Sequence, residues 1–183
     1  MNWLNTGCVL LAAFLVVFWE ASFGIVRRLT GAQMDLLPAL IVYASLCSGF
    51  RTVIVLAVLG GLWLDSLSAN PLGVSVLPLI TVGSAIYAKR DLILRDQLFA
   101  QLALGLAASA AVPPITVLLL LTTGQEPLLG WGSFWQWFVM AIGGAVATPI
   151  FFEVFRWIDR TLGQAPSAET SFRPDREIRR GRS

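Results

Sequence analysis

The sequence predicts an all-α integral membrane protein built as a bundle of six transmembrane helices. The chain has 183 residues, of which only 13% are charged, whereas soluble domains average roughly 25%. Its mean hydropathy is +0.74. The charged residues also collect in short loops and in the last part of the chain. The long stretches between them are therefore apolar enough to lie in lipid.

The apolar stretches fall into six spans, each near the roughly 20 residues that cross a bilayer or somewhat shorter. They are expected at residues 7–26, 35–48, 52–67, 72–88, 97–121 and 137–157. The second and third spans form a tight hairpin, because residues 36–67 are too many for one crossing. An amphipathic segment at the membrane interface is predicted over 89–96. The chain thus divides into a transmembrane domain, 1–160, and a basic tail, 161–183, which is expected to be disordered.

Two features within the spans affect helix shape and packing. Pro113 and Pro114 lie inside the fifth span, and because proline lacks an N–H and clashes with the preceding turn, they are expected to kink or break that helix. Small residues at helical spacing are expected where helices pack closely, in three groups: Gly60 and Gly61; Ala103, Ala107 and Ala111; Gly143, Gly144 and Ala147. The same spacing also suits a docking face for another membrane protein, and homo-oligomer formation stays open.

The distribution of lysine and arginine predicts the orientation. With six spans, one side receives both termini, Arg51 and the loop that contains Lys89, while the other receives only Arg27 and Arg28. The positive-inside rule therefore places both termini in the cytoplasm. Four arginines of the tail either fix this topology or contact anionic lipid or an acidic partner: Arg176, Arg179, Arg180 and Arg182.

Polar and aromatic side chains are expected to share the outer end of the bundle. The acids and amide are Glu20, Asp35, Asp65 and Asn70, and the aromatic group is Trp131, Trp135 and Trp137. Ionisable groups within spans are costly and usually face protein or a cavity, so this group suggests a surface that recognises a partner. The other interpretation is local: Asp and Asn bond loose backbone groups at turns, Glu20 lies near water, and the tryptophans form an interfacial belt.

The residues needed for catalysis or metal binding do not appear in recognisable patterns. The chain has no His and only two Cys, which lie in apolar runs without ligand spacing, so neither a metal site nor a disulfide is predicted. No Lys-Ser/Thr pair follows Gly60-Gly61, as a phosphate-binding loop would require. We therefore expect a non-enzymatic protein without a cofactor and without a nucleic-acid partner.

A series of short motifs carries a family resemblance. Asp35 and Pro38 open a span, the next span ends Gly-Gly-Leu-Trp-Leu-Asp-Ser-Leu-Ser, and the turn Asn-Pro-Leu-Gly follows. Over residues 33–95 this order resembles the MreD family of rod shape-determining proteins, in which a Gly-rich span ends in an Asp before a Ser-x-x-Pro-x-Gly-like turn. The matching turn positions are Asp65, Ser68, Asn70, Pro71 and Gly73. Elsewhere the resemblance rests on length and span count.

The resemblance implies a scaffold in the bacterial inner membrane that maintains rod shape. Its implied partners are MreC and, through MreC, the MreB filament and the peptidoglycan synthases of the side wall. The span count is also similar to that of the S-component fold of energy-coupling-factor transporters, so a vitamin-binding transport subunit is the alternative. S-components of this size often show an Ala-x-x-x-Ala contact pattern in the first span. Here the first span has Ala12 and Ala13 but no Ala four residues further on, which argues against that alternative.

Overall fold

The computed structural model describes residues 3–22, 31–32, 34–68, 71–93, 97–124 and 130–161. Within these ranges the regular structure is entirely helical. The α-helices are α1 (Trp3–Ser22), α2 (Leu37–Cys47), α3 (Phe50–Leu67), α4 (Val76–Lys89), α5 (Leu98–Thr122) and α6 (Trp131–Thr161). A short 3-10 turn, Arg90–Leu92, follows α4. The predicted tail, 161–183, lies outside the described residues except for its first residue.

The helices differ in whether they are long enough to cross a membrane. α1, α3, α5 and α6 are long and apolar enough to do so by length and composition. α2 has 11 residues and α4 has 14, and α4 starts later than predicted because residues 72–75 form turns. The prediction of an all-helical membrane protein is therefore confirmed for the described part of the chain, while the count of six crossings stays a prediction.

Successive helices run in opposite directions, so their ends gather at two ends of the bundle. At one end, the Thr6 hydroxyl of α1 lies 3.0 Å from the Thr52 hydroxyl of α3. At the other end, the Leu36 N–H ahead of α2 donates to Glu20 Oε1 in the last turn of α1. α6 runs parallel to α2, because Tyr43 of α2 stacks on Phe155, near the end of α6.

The described lysines and arginines collect at one of these ends, whereas acids lie at both, with Asp91, Glu153 and Asp159 among the cations. Glu20, Asp35 and Asp65 lie at the end that we call the acidic end. The lysines and arginines of the described ranges all lie towards the opposite end, which we call the basic end: Arg51, Lys89, Arg90, Arg156 and Arg160. This asymmetry is the one that the positive-inside rule uses to orient membrane proteins.

The short helix α2 forms the centre of the bundle. Every residue from Leu37 to Leu46 is buried, as expected for a helix that is apolar on all sides. Tyr43 packs between two rings of α6, stacked on Phe155 at 4.2 Å between centroids and edge-on to Phe152 at 5.1 Å. Because protein surrounds α2, its length is not constrained by the thickness of the lipid in the way that a peripheral helix is.

The closest helix contact joins α5 and α6, and it differs in part from the prediction. Gly143, Gly144 and Ala147 are buried, as predicted. On α5, however, Ala103 and Ala107 are exposed. The packed face of α5 is instead formed by Gly105 and Ser109, whose atoms would collide with a side chain at Gly144. Glycine and serine allow a closer backbone approach than the predicted alanines.

The proline pair does not break α5. The helix continues through Pro113 and Pro114 to Thr122. Pro114 has no N–H to bond the carbonyl four residues earlier, that of Ala110. The indole Nε1–H of Trp137 on α6 donates to this Ala110 oxygen at 2.7 Å. The partner helix therefore satisfies a backbone group that the proline leaves open, which is how proline is tolerated within membrane helices.

Candidate functional site at the acidic end

Three carboxylates from three parts of the chain meet at the acidic end. Glu20 comes from the last turn of α1, Asp35 from the connection before α2, and Asp65 from the last turn of α3. Asp35 and Asp65 are buried, and Glu20 is half-buried. Charged side chains are rarely buried without partners, so each carboxylate must be satisfied by groups around it.

Asp65 holds the start of α4. Its side chain is only 1% exposed, and Oδ2 accepts hydrogen bonds from the N–H groups of Gly73 at 2.8 Å and Ser75 at 3.1 Å. Gly73 has φ of +94°, a left-handed conformation that glycine adopts without the penalty other residues meet. The Asp and the Gly of the sequence motif thus cooperate in one turn, in which the carboxylate supplies an acceptor and the glycine gives the required backbone conformation.

Glu20 and Asp35 perform the same task at the start of α2. Glu20 Oε1 accepts the Leu36 N–H at 2.6 Å, and Asp35 Oδ1 accepts the Leu37 N–H at 3.0 Å. The first N–H groups of a helix have no partner within the helix and carry its positive dipole end. Carboxylates therefore suit this position, and Pro38 in the first turn removes one further N–H that would need an acceptor.

The acidic end keeps some unused hydrogen-bonding capacity. Among the described residues, no donor reaches Glu20 Oε2 or Asp65 Oδ1, although both atoms are buried. Within the described ranges, no group of three or more Asp, Glu, Cys or His side chains is placed to hold a metal ion.

The predicted partner surface is rearranged by these contacts. Asp35 and Asp65 lie inside the bundle, and Glu20 is engaged at α2, so these acids shape the acidic end instead of presenting charge on it. Trp131 is 88% exposed and Trp135 is also exposed. Among the described members of the predicted surface, the exposed ones are therefore aromatic.

The remaining predicted residues lie in different environments. Ser68 bonds back to the Asp65 carbonyl through its N–H at 3.2 Å, and Pro71 is exposed. Trp137 contacts the proline-containing helix, as described above. Asn70 and the tail arginines lie outside the described residues: Arg176, Arg179, Arg180 and Arg182.

Several polar contacts were not predicted from the sequence. Ser75 is buried at the start of α4, and its N–H shares the Asp65 oxygen with Gly73. On α6, the buried Thr148 hydroxyl donates to the Gly144 carbonyl at 2.8 Å within its own helix. Serine and threonine occur throughout apolar spans in this role, so spacing alone does not single these positions out.

The chain matches no protein-family model, no curated protein and no solved structure. The resemblance to the MreD family therefore rests on the motifs between residues 33 and 95. Within those motifs, the structure supplies a physical role for Asp65 and Gly73, which form a capped turn.

Proposed function

We propose that this protein is a non-enzymatic scaffold of the bacterial cell-elongation machinery. In this role it would maintain rod shape together with MreC, and through MreC with MreB and the peptidoglycan synthases of the side wall. The observation that carries the proposal is the Asp65 turn. The family-like motif builds the connection between α3 and α4, because its carboxylate bonds two N–H groups of the chain itself.

The proposal also accounts for the chemistry at the acidic end. Asp35 is bonded to the Leu37 N–H and Glu20 to the Leu36 N–H, so both carboxylates serve helix α2. A group that acts on a substrate needs access to it, whereas these oxygens face the interior. Helices that present exposed aromatic side chains suit recognition of another protein, since tryptophan is enriched at interface hot spots.

The proposed topology is six crossings of the inner membrane with both termini in the cytoplasm. All described lysines and arginines lie towards the basic end, which the positive-inside rule assigns to the cytoplasm. The acidic end, with Trp131 and Trp135, then faces the periplasm, where the bulk of MreC is expected. The proposed contact surface consists of Pro71, Leu72, Trp131 and Trp135, which are all exposed.

Copurification tests this surface with a matched control on the same chain. The full-length protein is coexpressed with tagged MreC of the same organism, and recovery is compared for Trp135→Ala and Trp157→Ala. Both tryptophans are exposed, but Trp157 lies towards the basic end. We expect Trp135→Ala to reduce recovery at least several-fold and Trp157→Ala to leave it unchanged. Equal recovery of both variants counts against the surface, and failure of the wild-type protein to recover MreC counts against the function.

A loss-of-function experiment tests the cellular role separately. Disruption of the gene in its own organism should convert rods into rounded cells, and a plasmid copy should restore cell width. The Asp65→Ala variant should restore it poorly, because the turn before α4 loses its acceptor. Rods of normal width after disruption would contradict a role in shape maintenance.

The alternative, a substrate-binding S-component of a vitamin transporter, has one observation in its favour. Glu20 Oε2 and Asp65 Oδ1 are buried without a donor among the described residues, and buried acceptors of this kind suit a small polar solute. Mass spectrometry of the purified protein distinguishes the two functions. A stoichiometric small molecule, released on denaturation, together with copurifying ATPase subunits, would support transport.

A further inference from the structure

Two carboxylates meet at the first turn of α2. Glu20 Oε1 accepts the N–H of Leu36 at 2.6 Å, and Asp35 Oδ1 accepts the N–H of Leu37 at 3.0 Å. Because Leu36 and Leu37 are consecutive residues, their N–H groups are neighbours at one helix start. The two carboxylates therefore lie next to each other, close enough for their charges to interact. We call Glu20 and Asp35 the carboxylate pair.

The described surroundings of the carboxylate pair add negative charge and no cation. α3 contributes a third acid, Asp65, whose charge interacts with that of Asp35. In α1, α2 and α5, Glu20 is the only charged side chain. The described lysines and arginines lie towards the basic end: Arg51, Lys89, Arg90, Arg156 and Arg160.

The start of α2 cannot balance both charges of the carboxylate pair. The positive end of a helix dipole is equivalent to roughly half an elementary charge, which offsets only part of two negative charges. Like charges that share a buried site are costly, and one of two such carboxyl groups therefore keeps its proton.

Two buried oxygens of these three acids also lack a donor. Among the described residues, no donor reaches Glu20 Oε2 or Asp65 Oδ1. Asp65 is only 1% exposed, and its other oxygen is already bonded to the N–H groups of Gly73 and Ser75. Buried oxygens of this kind indicate a missing hydrogen-bond donor. A protonated carboxyl supplies one, because its O–H donates, whereas a carboxylate only accepts.

We propose that the carboxylate pair binds one proton at neutral pH, so that one member is a carboxylic acid and the other a carboxylate. The proton removes one of the two negative charges at the start of α2 and adds an O–H donor beside the buried oxygens. A proton needs only one carboxyl oxygen and a neighbouring acceptor, whereas no three such side chains in the described ranges are placed to hold a metal ion. This site goes beyond the proposed function and does not depend on it.

Infrared spectroscopy of the full-length protein in lipid vesicles tests the proposal, because the C=O stretch of a carboxylic acid is separate from the bands of a carboxylate. Spectra at neutral pH are compared for the wild type, Glu20→Gln and Asp35→Asn. Both substitutions keep an oxygen that can accept the same backbone N–H, so α2 stays capped. Glu153→Gln is the matched control, because Glu153 is exposed on α6 and lies 2.8 Å from Arg156.

We expect a carboxylic acid band in the wild type and in Glu153→Gln, and loss of this band in both Glu20→Gln and Asp35→Asn. Either of these two substitutions leaves a single acid, which can ionise beside the positive end of α2. Absence of the band from the wild type would overturn the proposal. Survival of the band in Glu20→Gln or in Asp35→Asn would also overturn it, since the proton would then not depend on the pair.

Thermal unfolding as a function of pH gives a second readout. While the folded protein holds a proton that the unfolded chain has lost, the folding equilibrium constant falls by about tenfold for each pH unit. The unfolding temperature of the wild type and of Glu153→Gln should therefore fall as the pH rises through neutrality, and Glu20→Gln should lose this part of the pH dependence. Identical pH profiles of the wild type and Glu20→Gln would contradict the shared proton.

Discussion

Asp65 is the residue on which the local structure of the acidic end depends most. Its Oδ2 serves two N–H groups that no other described acceptor reaches, those of Gly73 and Ser75. Asp65→Ala leaves both without an acceptor in a buried site, and we expect a loss of about 2 kcal/mol of stability. Asp65→Asn keeps a carbonyl oxygen at the same place and should lose about half as much. Tryptophan fluorescence during thermal unfolding in detergent measures the stability of both variants. Equal stability of the wild type and Asp65→Ala would contradict the capping role.

Gly73 contributes to the same turn through its backbone. Its φ of +94° is disfavoured for any residue with a Cβ, so Gly73→Ala should cost about 1–2 kcal/mol. Gly130→Ala is the matched control, because Gly130 has no positive φ and open space around it. If Gly130→Ala were as unstable as Gly73→Ala, the loss of stability would not come from the conformation of the turn.

The sequence was informative for some of these residues and not for others. Asp65 is recognisable as a turn residue because Asp bonds nearby backbone groups, and Gly73 follows in the motif. Which N–H groups the carboxylate accepts depends on how the chain returns over residues 71–75, and the sequence does not specify that return. The role of Asp35 is harder to predict from the sequence, because an acid ahead of a helix suits either a cap or an exposed surface. Only the burial of Asp35 in the structure decides between the two roles.

At the scale of helices, α5 depends on α6 for one of its own backbone hydrogen bonds. Trp137→Phe removes the donor to the Ala110 carbonyl and should cost about 1 kcal/mol. Pro114→Ala supplies an N–H four residues after Ala110, so the carbonyl regains a partner within its own helix. Trp137→Phe should therefore cost less in the Pro114→Ala background, and a double-mutant cycle measures the difference. Full additivity would contradict this coupling.

The face of α5 that meets α6 gives a second test at this scale. A Cβ at Gly144 would meet the Ser109 side chain and lie 3.0 Å from the Gly105 carbonyl oxygen. Gly144→Ala should cost about 1–3 kcal/mol through overpacking, whereas Gly7→Ala, in open space on α1, should cost nothing. Ala107→Leu should change stability by less than about 0.5 kcal/mol, because Ala107 is exposed. A large loss of stability in Ala107→Leu would show instead that the predicted alanine stripe, Ala103, Ala107 and Ala111, is a contact face.

The alanine stripe shows why helix rotation was harder to predict than helix position. The predicted spans 52–67 and 97–121 agree with α3 and α5 to within two residues at each end, because apolar length sets these bounds. Which face packs is a different question. Ala103 and Ala107, like Gly105 and Ser109, are four residues apart, so spacing does not distinguish them. What distinguishes the two pairs is the closer approach to Gly144 that Gly105 allows.

For the whole molecule, the clustering of the described lysines and arginines at one end distinguishes the two ends of the bundle. The acidic end uses its carboxylates on the starts of α2 and α4 and exposes Trp131 and Trp135. The basic end exposes cations beside apolar helix faces. In the proposed arrangement, the acidic end meets a periplasmic protein, which requires the two ends to lie on opposite sides of the membrane.

Cysteine labelling measures that arrangement directly. In a background with Cys8→Ala and Cys47→Ala, single cysteines are placed at Ser66, exposed at the acidic end, and at Thr161, exposed at the basic end. A membrane-impermeant maleimide is then added to intact spheroplasts. We predict labelling of Ser66→Cys from outside and of Thr161→Cys only after the membrane is permeabilised. Labelling of both cysteines from the same side would contradict the proposed crossing of the membrane and, with it, the proposed partner surface.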